Sequence, residues 1–184
     1  MKPVSWTGPP TESHPSYLER DDRPLVYVTL GTVNSHRPVL RTAIERLSTL
    51  PVRVLAAIGP QGDPAAFGTQ PGNVTIERWV PQSLVLEHCD VVVSHAGSGT
   101  FLGSLSAAIP QLCLPQAADQ FLHAAAGVGC GAALAPNPAA PVDEDRAPSV
   151  LRLLHQPSLS AAAVAVASPP ASLPVPAPVF QVRS

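Results

Sequence analysis

Residues 90–103 read DVVVSHAGSGTFLG. The apolar, β-branched run Asp90–Ser94 predicts a buried strand, and Ser98–Ala108 predicts a helix that opens in a Gly-rich turn. His95 falls between them, at the strand's carboxyl end, where open α/β sheets bind ligands. A helix N-terminus presents free N–H groups and the positive end of the helix dipole. Gly97 and Gly99 would let a ligand approach that backbone, and Ser98 and Thr100 add hydroxyls. Together these groups suit an anion such as a diphosphate. A tight strand–helix turn without any ligand is the alternative, and a Gly-x-Gly by itself favours it. The histidine and the two hydroxyls shift the balance towards an anion site.

Outward from this stretch, strands and helices alternate. Leu25–Leu30 (LVYVTL) reads as a buried strand ending at Gly31, and Pro38 opens a helix to about Leu50, with Val39, Leu40, Ala43, Ile44 and Leu47 at helical spacing. Val52–Ile58 and Val74–Trp79 read as strands around a Gly/Pro loop at Gly59–Gly72, and Ser83–Cys89 as a short helix. Beyond residue 108 come a strand at Gln111–Leu114, a helix at Ala118–Val128, a weak strand at Ala132–Ala135 and a helix at Asp143–Gln156. Strands that are apolar throughout and separated by helices predict a parallel sheet covered on both faces: a doubly wound, Rossmann-like α/β domain. Three segments follow. Residues 1–24 are polar and Pro-rich and read as a linker or arm, 25–165 as the domain, and 166–184 as a Pro-rich tail. From Ser160 the pattern fades; the chain starts helix-like and stops at Pro169 and Pro170.

The composition excludes several classes. The 184 residues suffice for one domain with a proper core, and the net charge of −2 with no basic run argues against nucleic acid. Three cysteines, Cys89, Cys113 and Cys130, are too few and too widely spaced for a disulfide framework or metal cluster, and read as small buried hydrophobes. No apolar stretch approaches the roughly 20 residues of a membrane span. The N-terminus lacks the apolar core of a signal peptide, which implies a cytoplasmic location.

Two further features sit at strand ends. In Trp79-Val80-Pro81-Gln82 an aromatic precedes a turn-setting proline and an amide. Such a tryptophan can stack on a nucleobase, although a lone Trp is more often core. In Pro115-Gln116-Ala117-Ala118-Asp119-Gln120 an acid and an amide are placed to hydrogen-bond sugar hydroxyls, although Asp119 alone reads as a helix N-cap. A dinucleotide fingerprint fits poorly, since the sixth position from Gly97 is Leu102 and no acid ends the next strand.

The order WVPQ, HAGSGT, PQAADQ resembles the donor domain of GT-B glycosyltransferases, and more narrowly the bacterial enzymes that decorate macrolides and other natural products. The resemblance covers about residues 1–165, including the LVYVTLGT strand. It implies that Trp79 stacks on the base and Gln82 holds the base or ribose side. His95 with Gly97, Ser98, Gly99 and Thr100 would bind the diphosphate, Asp119 and Gln120 the donor sugar, and Thr32 would face the cleft. No metal or other cofactor is implied. The partner implied is a nucleotide-diphosphate sugar, transferred with inversion to a natural-product hydroxyl.

The departures are informative. Related plant enzymes carry a Glu, understood to hold ribose hydroxyls, where this chain has Gly103, which makes a dTDP-sugar the expected donor. Relatives usually have Asn in place of His123. In the family an acceptor domain supplies the histidine base, so this chain is expected to need an acceptor-domain partner and to be inactive in transfer as an isolated half. A non-catalytic nucleotide-binding module and an inactive truncated remnant are the other readings.

Overall fold

A computed structural model describes residues 15–19, 21–31, 37–136 and 146–168. Six parallel strands form one sheet: β1 (Leu25–Thr29), β2 (Arg53–Ala57), β3 (Val74–Glu77), β4 (Val91–Ser94), β5 (Gln111–Cys113) and β6 (Ala133–Leu134). Their order in space is β3-β2-β1-β4-β5-β6. The chain therefore begins in the middle, walks outward to β3, and crosses back to lay β4 beside β1. The strand order reverses between those two, and there the connections leave in opposite directions and open a crevice.

Side-chain alternation along the strands feeds two cores. Val26, Val28, Val54, Ala56, Val91 and Val93 pack on one face with Leu40, Ala43, Ile44 and Leu47 of α1 (Arg37–Leu47). Those four residues recur at helical spacing and are nearly inaccessible, so α1 is held by its apolar stripe. Leu25, Tyr27, Leu55, Ala57 and Val92 pack on the other face with Val85 and Leu86 of α2 (Gln82–Leu86). Leu18, in a 3₁₀ turn at Ser16–Leu18, is 1% exposed in that second core, so packing reaches N-terminal to Leu25. A third, smaller cluster joins Phe101 of α3 (Ser98–Ser106) to Ala124 of α4 (Gln120–Gly129), Cys113 and Ala133.

The expected doubly wound sheet is present, and the element ends differ for identifiable reasons. α4 starts at Gln120, not Ala118, because Ala118 lies at φ 53°, where a right-handed helix cannot run. Past α5 (Ala147–His155), where a fading pattern was expected, a separate helix α6 (Pro157–Ala167) begins. Pro157 holds Gln156 extended, and the two helices meet at a bend of 71°. The sequence of α6 is almost uniformly apolar, so it carries no 3.6-residue rhythm to read. The Gly59–Gly72 loop holds a 3₁₀ turn at Pro64–Phe67, capped by the Asp63 carboxylate accepting from the Ala65 N–H. Cys89 and Cys113 are buried as expected, whereas Cys130, the C-cap residue of α4, is exposed. No single described helix is long and apolar enough to cross a membrane. Thr32, the start of the helix expected from Asp143, most of residues 1–24 and the tail from 169 lie outside the described residues.

Candidate functional site

The crevice between the carboxyl ends of β1 and β4 is a cleft of about 600 Å³. Thr29 ends β1 and Gly31 follows it, Arg78 and Trp79 lie just past β3, Gln82 opens α2, and His95 and Gly97–Thr100 form the β4–α3 turn; all line it. Of the expected site residues, Trp79, Gln82, His95, Gly97, Ser98, Gly99 and Thr100 are thus brought together. Asp119 and Gln120 are not in the lining; they stand beyond the end of the neighbouring β5. Trp79 is 41% exposed, too open for a core tryptophan.

The β4–α3 turn is built on one forced residue. Ala96, fully buried, has φ 61°, which costs a non-glycine residue of order 1 kcal/mol or more. Its N–H donates to the buried Ser94 hydroxyl at 3.1 Å, and its carbonyl accepts from His123 Nδ1 at 2.9 Å. This kink lets the chain leave β4 and enter α3 with its first turn facing the cleft. Gly97 is the N-cap and has no side chain to cap the helix, and the first turn, Ser98–Thr100, lines the cleft.

The two glycines of the turn do different things. A Cβ on Gly97 would stand 2.3 Å from His95 Nε2, and one on Gly31 2.9 Å from His95 Cε1. The imidazole therefore lies across both glycines, tying the ends of β1 and β4. Gly97 makes room for His95, whereas the expected reason was approach by a ligand. A Cβ on Gly99 meets nothing within 4 Å, so this glycine keeps the backbone open.

Hydroxyl and amide groups are partly committed within the turn. Thr100 Oγ1 donates to Gln82 Oε1 at 2.9 Å, and Gln82 Nε2 donates to the Gly99 carbonyl at 3.4 Å. This pair joins the starts of α2 and α3, and Thr100 cannot give its proton to a ligand while it stands. Gln120 Oε1 accepts from the Gln116 and Ala117 N–H groups at 2.8 and 3.1 Å, folding its own loop. Asp119 occupies the N-cap position of α4 but makes no side-chain cap bond, and its side chain is 61% exposed.

Among the described residues, the cleft lining includes no Asp or Glu, and Arg78 is its one formally charged side chain. Arg78, Tyr27 and Leu102 were not singled out from sequence; adjacency to Trp79 past β3 was the signal available for Arg78. Tyr27 forms part of the floor, and burial pushes its phenol pKa upward, so its hydroxyl stays protonated. Among the described residues, no group of three or more His, Cys, Asp or Glu could hold a metal ion.

Residues 41–183 match the family described as the erythromycin biosynthesis protein CIII-like C-terminal domain. The chain belongs to this family. It is 37% identical to the elloramycin glycosyltransferase ElmGT of Streptomyces olivaceus over 87% of this chain and 41% of that protein. Among solved structures, the spinosyn rhamnosyltransferase SpnG complexed with thymidine diphosphate superposes with a TM-score of 0.75 at 27% identity, covering 89% of this chain and 45% of that one. The glycosyltransferase VinC in complex with DTDP gives 0.75 at 28% identity over 89% and 41%. This CIII-like domain thus has the Rossmann-like fold of the C-terminal half of GT-B glycosyltransferases, as the sequence resemblance implied. The chain spans less than half the length of these relatives.

Proposed function

We propose that the cleft binds a nucleotide-diphosphate sugar, the donor for glycosyl transfer to a natural-product hydroxyl held by a further domain. One observation carries this reading: at the switch point the N-terminus of α3, an imidazole and a half-exposed indole open on the same cleft, whose described lining residues include no carboxylate. The diphosphate lies on the Ser98, Gly99 and Thr100 N–H groups beside His95, and the base stacks on Trp79. As the bond to the sugar breaks, charge gathers on the leaving diphosphate, and the helix end and His95 stabilise it without a metal. Attack from the opposite face inverts the anomeric carbon. The base for that attack belongs to the acceptor domain, so this chain alone binds donor and transfers nothing. Asp119 and Gln120 meet the sugar, and Gln82 lies on the ribose side.

The donor carries deoxyribose. Gly103, one turn beyond Thr100 on α3, offers no carboxylate to a ribose 2′-hydroxyl, and none of the described lining residues is an acid. That SpnG and VinC were solved with thymidine diphosphate supports the same choice. Calorimetric titration of the folded chain tests both statements. Saturable 1:1 binding, tighter for dTDP than for UDP, is expected. Tighter UDP binding would remove the deoxyribose assignment, and no binding of either nucleotide would remove the site. Product formed from a dTDP-sugar and an acceptor by this chain alone would contradict the need for a second domain.

A further inference from the structure

We infer that His123 is a positioning residue that sets the conformation of the diphosphate turn from the neighbouring helix, a role that rests on the donor-site reading for its functional consequence. His123 lies one turn into α4 and does not line the cleft. Its Nδ1 is 2.9 Å from the carbonyl oxygen of Ala96. A carbonyl can only accept, so Nδ1 carries the proton. Ala96 is the left-handed, fully buried residue between His95 and Gly97. Without a donor on α4 its carbonyl would be buried unsatisfied, and the forced φ would lose one of the two bonds that hold it. The ring also stacks on Phe101 of α3, with centroids 5.3 Å apart and planes 12° from parallel. Its Nε2 lies 4.0 Å from Asp119 Oδ2, one turn back. One imidazole thus touches the kink before α3, the core side of α3 and the acid at the start of α4. Any shift of α4 is passed to the N–H groups that face the cleft.

Two variants separate the donor from the ring. His123→Phe keeps an aromatic plane against Phe101 and removes the Nδ1 proton, whereas His123→Asn keeps an N–H donor and removes the ring. Amide hydrogen exchange, read without ligand, should accelerate at least tenfold at Ala96 and Phe101 in His123→Phe and return close to wild type in His123→Asn. The Val92 and Val93 amides in β4 should stay protected in both variants, which shows that the sheet is intact. Titration with dTDP should follow the same order, with about tenfold weaker binding for His123→Phe and less than threefold for His123→Asn. Unchanged exchange at Ala96 and Phe101 in His123→Phe would overturn the positioning role, as would a His123→Asn variant no better than His123→Phe. If the exchange pattern holds while wild type binds no dTDP, the positioning role stands and the donor-site reading falls.

Discussion

On one side of His95, Trp79, Gln82 and the first turn of α3 wall a cleft of about 600 Å³. On the other side, Asp119 stands 61% exposed, and Gln120 is folded back on its own loop. The first flank is anchored by a bond between two helix starts, Thr100 to Gln82, and by an imidazole laid over two glycines. The second is tied to the turn through His123. Both flanks follow adjacent strands, so the difference lies in what their connections pack against. The nucleotide flank closes on itself within this chain, whereas the 115–120 flank has no facing wall among the described residues. Affinity for the nucleoside diphosphate should therefore reside here almost in full, and discrimination of the sugar should not.

Substitutions on the two flanks can break that contrast. His95→Ala should have the largest effect: a hydrogen bond to a charged group is worth about 1.5–3 kcal/mol, or about 10- to 100-fold in dTDP affinity by calorimetry. Trp79→Ala comes next, at about tenfold, from a stacking contact of roughly 1–3 kcal/mol. Gly97→Ala should weaken dTDP several-fold with little change in melting temperature. The φ of −62° at Gly97 accepts alanine, but the new Cβ would push the His95 ring off its seat. Asp119→Asn should change dTDP binding less than twofold and weaken only the sugar-bearing donor; a large loss with dTDP itself would show that the two flanks are not separate. The smallest effect concerns thiols. Burial pushes Cys89 and Cys113 up to about 12, leaving almost no thiolate at pH 8, so iodoacetamide on the native chain should modify Cys130 alone by mass spectrometry.

Much of this was legible in residues 90–103, because an apolar run, a histidine and a Gly-rich helix start report local geometry directly. The sheet was legible for the same reason: most strands are short, largely apolar runs that end near a glycine, a proline or a polar turn. What depends on distant partners was not. Nothing in HAGSGT states that Gly97 serves His95 rather than a ligand, since the Gly31 contact comes from another strand. The bond from Thr100 to Gln82 spans 18 residues, and the one from His123 to Ala96 spans 27, neither with a periodic signature. The left-handed Ala118 hid the true start of α4, and uniform apolarity left α6 readable only as a helix-like stretch ending before Pro169, without its start at Pro157 or its packed face.

The central claim is that the β1–β4 crevice receives a nucleoside diphosphate on the first turn of α3. It is tested most directly by mapping amide and indole NMR shifts of the isotope-labelled chain during titration with dTDP. The account predicts saturable shifts concentrated at Gly31, the Trp79 indole and Gly97–Phe101, with little change around Asp119 until a sugar-bearing donor replaces dTDP. Shifts gathered elsewhere, or none in a folded chain at millimolar nucleotide, would contradict it.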